Sequence, residues 1–461
     1  MERQQIKELC TSFVPVFSAI LGQTKRAYHS IDTGNTCPIR AQPYRVSPQA
    51  KAAVEREIQD MLQMGVIHPS GSAWASPVVL VPKPDGEIRF CVDYRKLNAV
   101  TRPDNYPMPR TNKLLEKWGC AQFISILDLT KRYWKVPLDE SSKERSAFIT
   151  HVGLYEFNVL PFRLRNALAT FQKFVDGLLA GLGESAVAYL DVAIYFDSWA
   201  EHLEHLQKVF ERIREAGLTV KAKKCQIGLN RVTYLEHQVG QGIINPLLAK
   251  VNAIQKWPVL KSKKQVQSFL GLAGYYRRFV PQYSQIAAPL TDLTKKKQPN
   301  AVQWTEECQK ALNQLKATLM SDPVLRAPDF DKLFLVTTDA SEHGVGAVLM
   351  QEGPDQEFHP VAFLSKKLSE KESHWSISEK ECYAIVYTLE KLRPYVWGQC
   401  FHLQTDHAAL KWLHSVKESN KKLLRWSLAL QNFDFEIQDI SGASNKVADA
   451  LSRDSFPEST G

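Results

Sequence analysis

The stretch AVAYLDVAIYFDS, residues 186 to 198, constrains the fold more than any other part of the chain. Apolar residues alternate up to Tyr189-Leu190-Asp191, and a β-branched and aromatic run follows at once. This pattern predicts two strands closing in a tight hairpin with an acid at its tip. A carboxylate in that position is placed to hold a metal. A second acid has a similar setting: AQFISILDLTKRYWKVPLD, residues 121 to 139, reads as a strand ending in Asp128, with Tyr133 five residues on. Both runs can pair in one sheet. Two carboxylates so placed repel each other and have raised pKa values unless a cation such as Mg²⁺ sits between them.

A chain of 461 residues is long enough for about two to four domains, and 44% hydrophobic residues suffice for real cores. The excess of 58 Lys and Arg over 49 Asp and Glu favours a polyanionic partner, although it is moderate for this length. Eight cysteines lie far apart with no Cys-x-x-Cys pair, the pattern of reduced intracellular thiols rather than of zinc ligands. The apolar run from 13 to 21 is too short to span a bilayer and lacks the flanks of a leader, so no targeting segment is assigned and an intracellular place of action is expected.

Asp32-Thr33-Gly34 has the letters of an aspartic-protease triplet, but the apolar strands such a site needs are missing around it. Ser47-Pro48 opens a helix as N-cap and N1, with Val54, Ile58, Met61 and Leu62 as its apolar stripe and Gly65 as its stop. Residues 77 to 94 predict two strands joined at Pro84-Asp85-Gly86, a hairpin carrying Lys83 and Arg89. Leu203, Leu206, Val209, Phe210 and Ile213 stripe a further helix, which leaves His202 and His205 on its solvated face. Residues 261 to 280 mix basic and aromatic side chains, and Tyr275, Tyr276, Arg277 and Arg278 suit a nucleic-acid backbone. An amphipathic helix with a basic face is the plainer alternative.

Gln298-Pro299-Asn300 marks a boundary before a last domain. There Asp339 ends a strand before a turn containing Gly344 and Gly346, Glu381 lies in a helix, Asp406 ends another strand, and Asp449 follows in NKVADALSR. Glu379 is a weaker alternative to Glu381. One such acid is ordinarily surface decoration; four in ordered contexts form a candidate site.

The blocks WASPVVLVPKPDGEIRFCVDYRKLN, LDLTKRYW, LPFRLRNALATFQ and YLD, in this order, resemble a reverse transcriptase of the Gypsy class of LTR retrotransposons, a similarity running from about residue 30 to 455. The resemblance implies an α/β and α+β fold: a right-hand polymerase of fingers, palm and thumb, followed by a ribonuclease H-like α/β domain. The implied divisions are an N-terminal extension (1–30), fingers and palm (31–210), thumb and connection (211–300), the ribonuclease H-like domain (301–455) and a tail (456–461). Lys83 and Arg89 would grip the incoming deoxynucleoside triphosphate, and Tyr133 would gate against ribonucleotides. Phe162 would stand near the nucleotide, where retroviral relatives place a Gln. Asp128 and Asp191 would bind metal in the palm, and Asp339, Glu381, Asp406 and Asp449 would hold two Mg²⁺, or Mn²⁺, in the nuclease. Expected partners are an RNA template, a DNA primer and an RNA–DNA hybrid, with no membrane, in the cytoplasm, element-derived particles or the nucleus.

The chain departs from the resembled pattern at telling places. The usual Tyr-x-Asp-Asp hairpin is here Tyr189-Leu190-Asp191-Val192, and the downstream match implies that the second Asp is deleted. Arg132, Arg163 and Glu236 replace family glycines, and Leu168 a proline. Such exchanges put bulk or charge where the backbone must turn or approach a ligand closely. Polymerase activity is therefore expected to be impaired while the ribonuclease H acids are complete. The alternative class is a domesticated, non-catalytic nucleic-acid-binding protein. A protease-bearing fragment would need flap and dimer sequences not found here, and no His-His-Cys-Cys arrangement marks an integrase.

Overall fold

The computed structural model describes residues 2–18, 22–45, 47–82, 88–183, 186–189, 191–321, 323–342, 344–405 and 421–439. Its contacts divide the chain into two units, Met1–Arg110 with Ala121–Val232, and Thr111–Cys120 with Thr233–Gly461. The first is built on two sheets. One has the order β1-β6-β5-β2-β3, from β1 (Ile67–Pro69), β2 (Ser76–Pro82), β3 (Ile88–Val92), β5 (Phe148–Ile149) and β6 (Leu154–Phe157). Its β2–β5 pairing is parallel, and the β1–β6, β5–β6 and β2–β3 pairings are antiparallel. The expected hairpin of 77–94 is the antiparallel pair β2–β3, and its connection, Lys83 included, lies outside the described residues. Ser47 caps the helix Pro48–Gln63 by accepting from the Ala50 amide, and Val54, Ile58 and Met61 enter the core. Leu62, expected on that stripe, is 37% exposed.

The second sheet of this unit, β7-β8-β4-β9, holds the two acids that the sequence singles out. It comprises β4 (Phe123–Leu127), β7 (Ala186–Tyr189), β8 (Asp191–Phe196) and β9 (Gln226–Leu229), all antiparallel. The helices Ala167–Leu179 and Trp199–Glu215 pack on it through apolar faces that include Phe171, Val175, Leu206 and Phe210. One buried position on the second helix is a histidine. His202, placed on the solvated face by the sequence pattern, is fully buried, and its Nε2 lies 2.8 Å from Ser125 Oγ on β4. That hydroxyl also accepts from the Gly228 amide on β9, so one polar link ties the helix to two strands. The helical period fits either assignment, because His202 and Leu203 flank the same stripe; the structure sends His202 inward and leaves Leu203 partly buried.

In the second unit a four-stranded sheet runs β10-β11-β12-β13, from β10 (Val232–Tyr234), β11 (His237–Gly240), β12 (Ile243–Pro246) and β13 (Leu325–Arg326). The links Leu235-Glu236 and Gln241-Gly242 have positive φ at both residues, as tight hairpin turns require. A five-stranded mixed sheet follows in the order β16-β15-β14-β17-β18. Its strands are β14 (Phe334–Ala340), β15 (Gly344–Glu352), β16 (Phe358–Lys367), β17 (Phe401–Thr405) and β18 (Phe435–Asp439). The β14-β15-β16 meander is antiparallel, whereas β17 joins β14, and β18 joins β17, in parallel. The helix Ile377–Val396 packs on β14 and β15, and Cys382, Ile385 and Leu389 close its core with Phe334 and Val336.

The basic and aromatic stretch of residues 261 to 280 forms the helix Lys263–Tyr275, started by a Ser262–Gln265 capping box, and a short 3-10 turn Arg277–Phe279. Two of its four expected nucleic-acid contacts are turned inward. Tyr276 is buried against His237 and Phe279 and donates to the Glu236 carbonyl, while the Arg278 side chain is 12% exposed and pairs with Glu116 at 3.4 Å. Tyr275 and Arg277 remain at the surface. None of the eight cysteines is in a disulfide, and among the described residues no helix is long and apolar enough to cross a membrane.

Candidate active sites

Register brings the two acids of the first unit together. Leu127 of β4 faces Val192 of β8, so Asp128 and Asp191 are the next residues outward at the same end of two neighbouring strands. Tyr189 pairs directly with Asp191 across position 190, which lies outside the described residues. Beyond Asp191, β8 buries Val192, Ala193 and Ile194. Asp128 is anchored by its own backbone: its carbonyl accepts from the Lys221 amide at 2.8 Å, and Leu129 bridges Val220.

Each acid already has a cation. Arg132 Nη1 lies 3.6 Å from Asp191 Oδ1, and Lys224 Nζ lies 3.4 Å from Asp128 Oδ2. The two pairs differ in burial. The Arg132 and Asp191 side chains are 23% and 24% exposed, and the facing atoms Nη1 and Oδ1 are both buried without a hydrogen-bond partner; Lys224 is 60% exposed. Burial raises the Asp191 pKa to about 6, Arg132 opposes that rise, and Asp128 adds to it. The nearby Cys225 thiol is raised to about 11, chiefly by burial. At an effective dielectric constant of about 20, unit charges at the Arg132–Asp191 separation attract by roughly 5 kcal/mol before desolvation is subtracted. This donor set does not fit a two-metal centre: it offers two carboxylates, each facing its own cation, with buried Val192 next in the chain. Among the described residues no group of three His, Cys, Asp or Glu gathers as a metal site.

The surrounding candidates are partly placed. Tyr133 packs edge-on against Phe162 and Phe171, at 5.1 Å and 5.7 Å between ring centroids, and Phe162 is 51% exposed. Arg89 is exposed on β3 opposite Val81. Arg163 adopts φ 71°, and its carbonyl accepts from Asn98 Nδ2. Lys131 has φ 44°, whereas Arg132 begins the 3-10 turn Arg132–Lys135 in ordinary geometry. A glycine is thus favoured at 163 by conformation; at 132 the side chain matters for the space and charge it brings beside Asp191. Leu168 sits in the first turn of its helix, where a proline is also accommodated. The Asp32-Thr33-Gly34 triplet forms a surface turn in which Asp32 accepts from the Gly34 amide and pairs with Arg102.

In the second unit Asp339 lies near the end of the central strand β14, opposite Gly346 of β15. Glu381 is on the first half of the helix that packs on that strand. Glu379 is engaged in the helix's capping box with Ser376 and in an ion pair with Lys422. Asp406 and Asp449 lie outside the described residues. The donor set fits a divalent metal in kind, all four being carboxylates, with one on a central strand and one on the helix against it. The sequence did not point to Lys224 as a partner of Asp128. Its only signal there is the basic run KAKK before Cys225.

Residues 81–271 match the family described as "Reverse transcriptase (RNA-dependent DNA polymerase)", and residues 329–433 match "RNase H-like domain found in reverse transcriptase". The chain therefore carries the polymerase and ribonuclease H domains of a reverse transcriptase, two domain families that use divalent metals. Similar proteins include the "Retrovirus-related Pol polyprotein from transposon 297" of Drosophila melanogaster, 40% identical over 437 residues, or 93% of this chain and 41% of that protein. The "Transposon Tf2-3 polyprotein" of Schizosaccharomyces pombe is 35% identical over 422 residues, or 90% of this chain and 31% of its own length. With these matches the chain belongs to the Gypsy-type retrotransposon Pol polyproteins, of which it spans the reverse transcriptase and ribonuclease H portion, less than half the length of these relatives. Among solved structures, one titled "Structure of the foamy viral protease-reverse transcriptase in complex with dsDNA" has a TM-score of 0.85 at 25% identity, covering 96% of this chain and 94% of that one. A structure of that protein with RNA/DNA hybrid has a TM-score of 0.82 at 23% identity, covering 100% and 62%, and bears on the fold alone.

Proposed function

We propose that this chain works on RNA–DNA duplexes as a ribonuclease H joined to an impaired RNA-directed DNA polymerase, inside the cell. The observation that carries this is the contrast between the two sites. In the palm, Asp191 is bound to Arg132 and the acid expected after it is missing, whereas the nuclease acids Asp339, Glu381, Asp406 and Asp449 are all present in the sequence. A duplex partner is supported by the foamy viral relative at 25% identity, which was solved in complex with dsDNA. Asp339 and Glu381, with Asp406 and Asp449, would hold Mg²⁺ or Mn²⁺, which when bound neutralises phosphate charge and activates water. Asp339 on its central strand would fix the direction from which a phosphate is met. In the polymerase half, Lys83 and Arg89 would meet the triphosphate, and Tyr133, braced by Phe162 and Phe171, would form the sugar gate. Misplacing such groups by around 1 Å costs about a hundredfold, so synthesis is lowered by at least that much.

A paired assay on one purified sample tests this. Hybrid RNA should be cut with Mg²⁺ or Mn²⁺, duplex DNA spared, Asp406→Asn inactive, and primer extension near background. Robust extension would overturn the polymerase half of the proposal. The half-buried Arg132–Asp191 pair also favours a second reading, a domesticated protein that binds hybrid without reacting. Bound, folded and uncut hybrid would support that reading against the nuclease.

A further inference from the structure

The palm of this chain carries a permanent cation in its own sequence. Arg132 Nη1 and Asp191 Oδ1 face each other at 3.6 Å, both are sealed from solvent, and neither has a hydrogen-bond partner that would hold it elsewhere. Guanidinium does not give up its proton near neutral pH, so this charge is always present. The opposite acid differs: Lys224, which pairs with Asp128, is 60% exposed on a flexible stem and can swing away into water. The Arg132 side chain is 23% exposed and follows Lys131, whose φ of 44° fixes the entry into the 3-10 turn.

We propose that the Arg132 guanidinium stands in for a divalent metal at Asp191, leaving the palm charge-balanced and closed to metal. The inference rests on Asp128 and Asp191 being the palm acids, and it names the arginine rather than the missing acid as the first obstacle to metal entry. Adding a carboxylate beside Asp191 would leave that cation in place, whereas removing the arginine frees a half-buried acid next to Asp128. The second acid then has an unmet charge, and its neighbour's lysine is displaceable.

Mn²⁺ binding to the full chain, counted by electron paramagnetic resonance of free ion, reads this without any activity. The unaltered chain and Asp191→Asn should bind the same number of Mn²⁺ ions. Arg132→Gly should bind one more, at least about tenfold more tightly than any palm binding in the unaltered chain, and Arg132→Gly with Asp191→Asn should lose it. Arg132→Met, which keeps the stem and removes the charge, covers the case in which the glycine variant fails to melt cooperatively. The proposal is overturned if the unaltered chain holds an ion that Asp191→Asn loses, or if a cooperatively melting Arg132 variant gains none. Hybrid cleavage by the unaltered chain tests the nuclease assignment separately.

Discussion

His202 gives the first unit a stability that depends on pH, and its size follows from its surroundings. The imidazole is fully buried among Phe123, Phe196 and Trp199, with Nε2 against Ser125 Oγ and no partner at Nδ1. Burial lowers its pKa to about 4, and buried His29 is also lowered to about 4, again chiefly by burial. A histidine in the unfolded chain titrates near 6.5, so on acidification the unfolded state takes up protons first and stability falls. The contribution is whole above the unfolded value and is lost progressively as pH falls toward the folded one. Between about pH 7.5 and about pH 5.5 the linkage amounts to about 1 kcal/mol for each of the two histidines. Urea unfolding of the full chain, followed by fluorescence at both pH values, should show the first unit's transition moving to lower denaturant in acid. His202→Gln keeps a polar partner for Ser125 but removes the titration, and should cut the shift by about half. Equal shifts in the two proteins would refute the assignment of a neutral, buried His202.

Two further expectations concern stability alone. In the second unit Glu116, Arg278 and Tyr395 form a buried cluster, with Tyr395 donating to Glu116 Oε1 at 2.5 Å. Arg278→Leu should cost about 3–5 kcal/mol by stranding the acid, measured by chemical unfolding. Because burial holds the Glu116 pKa above its ordinary value, its folded form keeps the proton longer than the unfolded chain does. That contribution shrinks as pH rises above the unfolded carboxylate range, and the variant should magnify this trend. Arg163 and Glu236, at φ 71° and φ 63°, pay for left-handed backbone with side chains that gain little, so Arg163→Gly and Glu236→Gly should each raise stability by up to about 1 kcal/mol. The Glu236–Lys250 ion pair is too exposed to reverse that sign, and unchanged or lower melting temperatures would contradict it.

What the sequence made legible is whatever a local rule governs. Ser47-Pro48 specifies a helix start because cap geometry involves only neighbours, and alternation up to Asp128 and Asp191 specifies strand ends that the sheet register then sets side by side. The inward turn of His202, Tyr276 and Arg278 was not legible in the same way. His202 lies at the edge of an apolar stripe, where a rotation of a few tens of degrees about the helix axis changes solvent into core, whereas Tyr276 and Arg278 follow the end of their helix, where no helical period applies, and in each case only the packed neighbours choose.

Arg132, Arg163 and Glu236 show why residue identity alone could not predict the palm. At 163 and 236 the backbone itself is left-handed, so any residue other than glycine is strained there wherever its side chain points. At 132 the backbone is ordinary and the cost depends on where a long side chain ends, a matter of tertiary position that no local pattern encodes. The chain after the Trp199–Glu215 helix runs beside Asp128, with the Lys221 amide on the Asp128 carbonyl, and so delivers Lys224 to one acid while Arg132 reaches the other. Two acids facing two cations form a self-neutralised arrangement, and electrostatics gives a divalent ion little to gain there. A valine rather than an acid after Asp191 and an arginine at 132 bias the site's charge in the same direction. Changing either one alone therefore leaves the palm short of the negative charge that two metals would require.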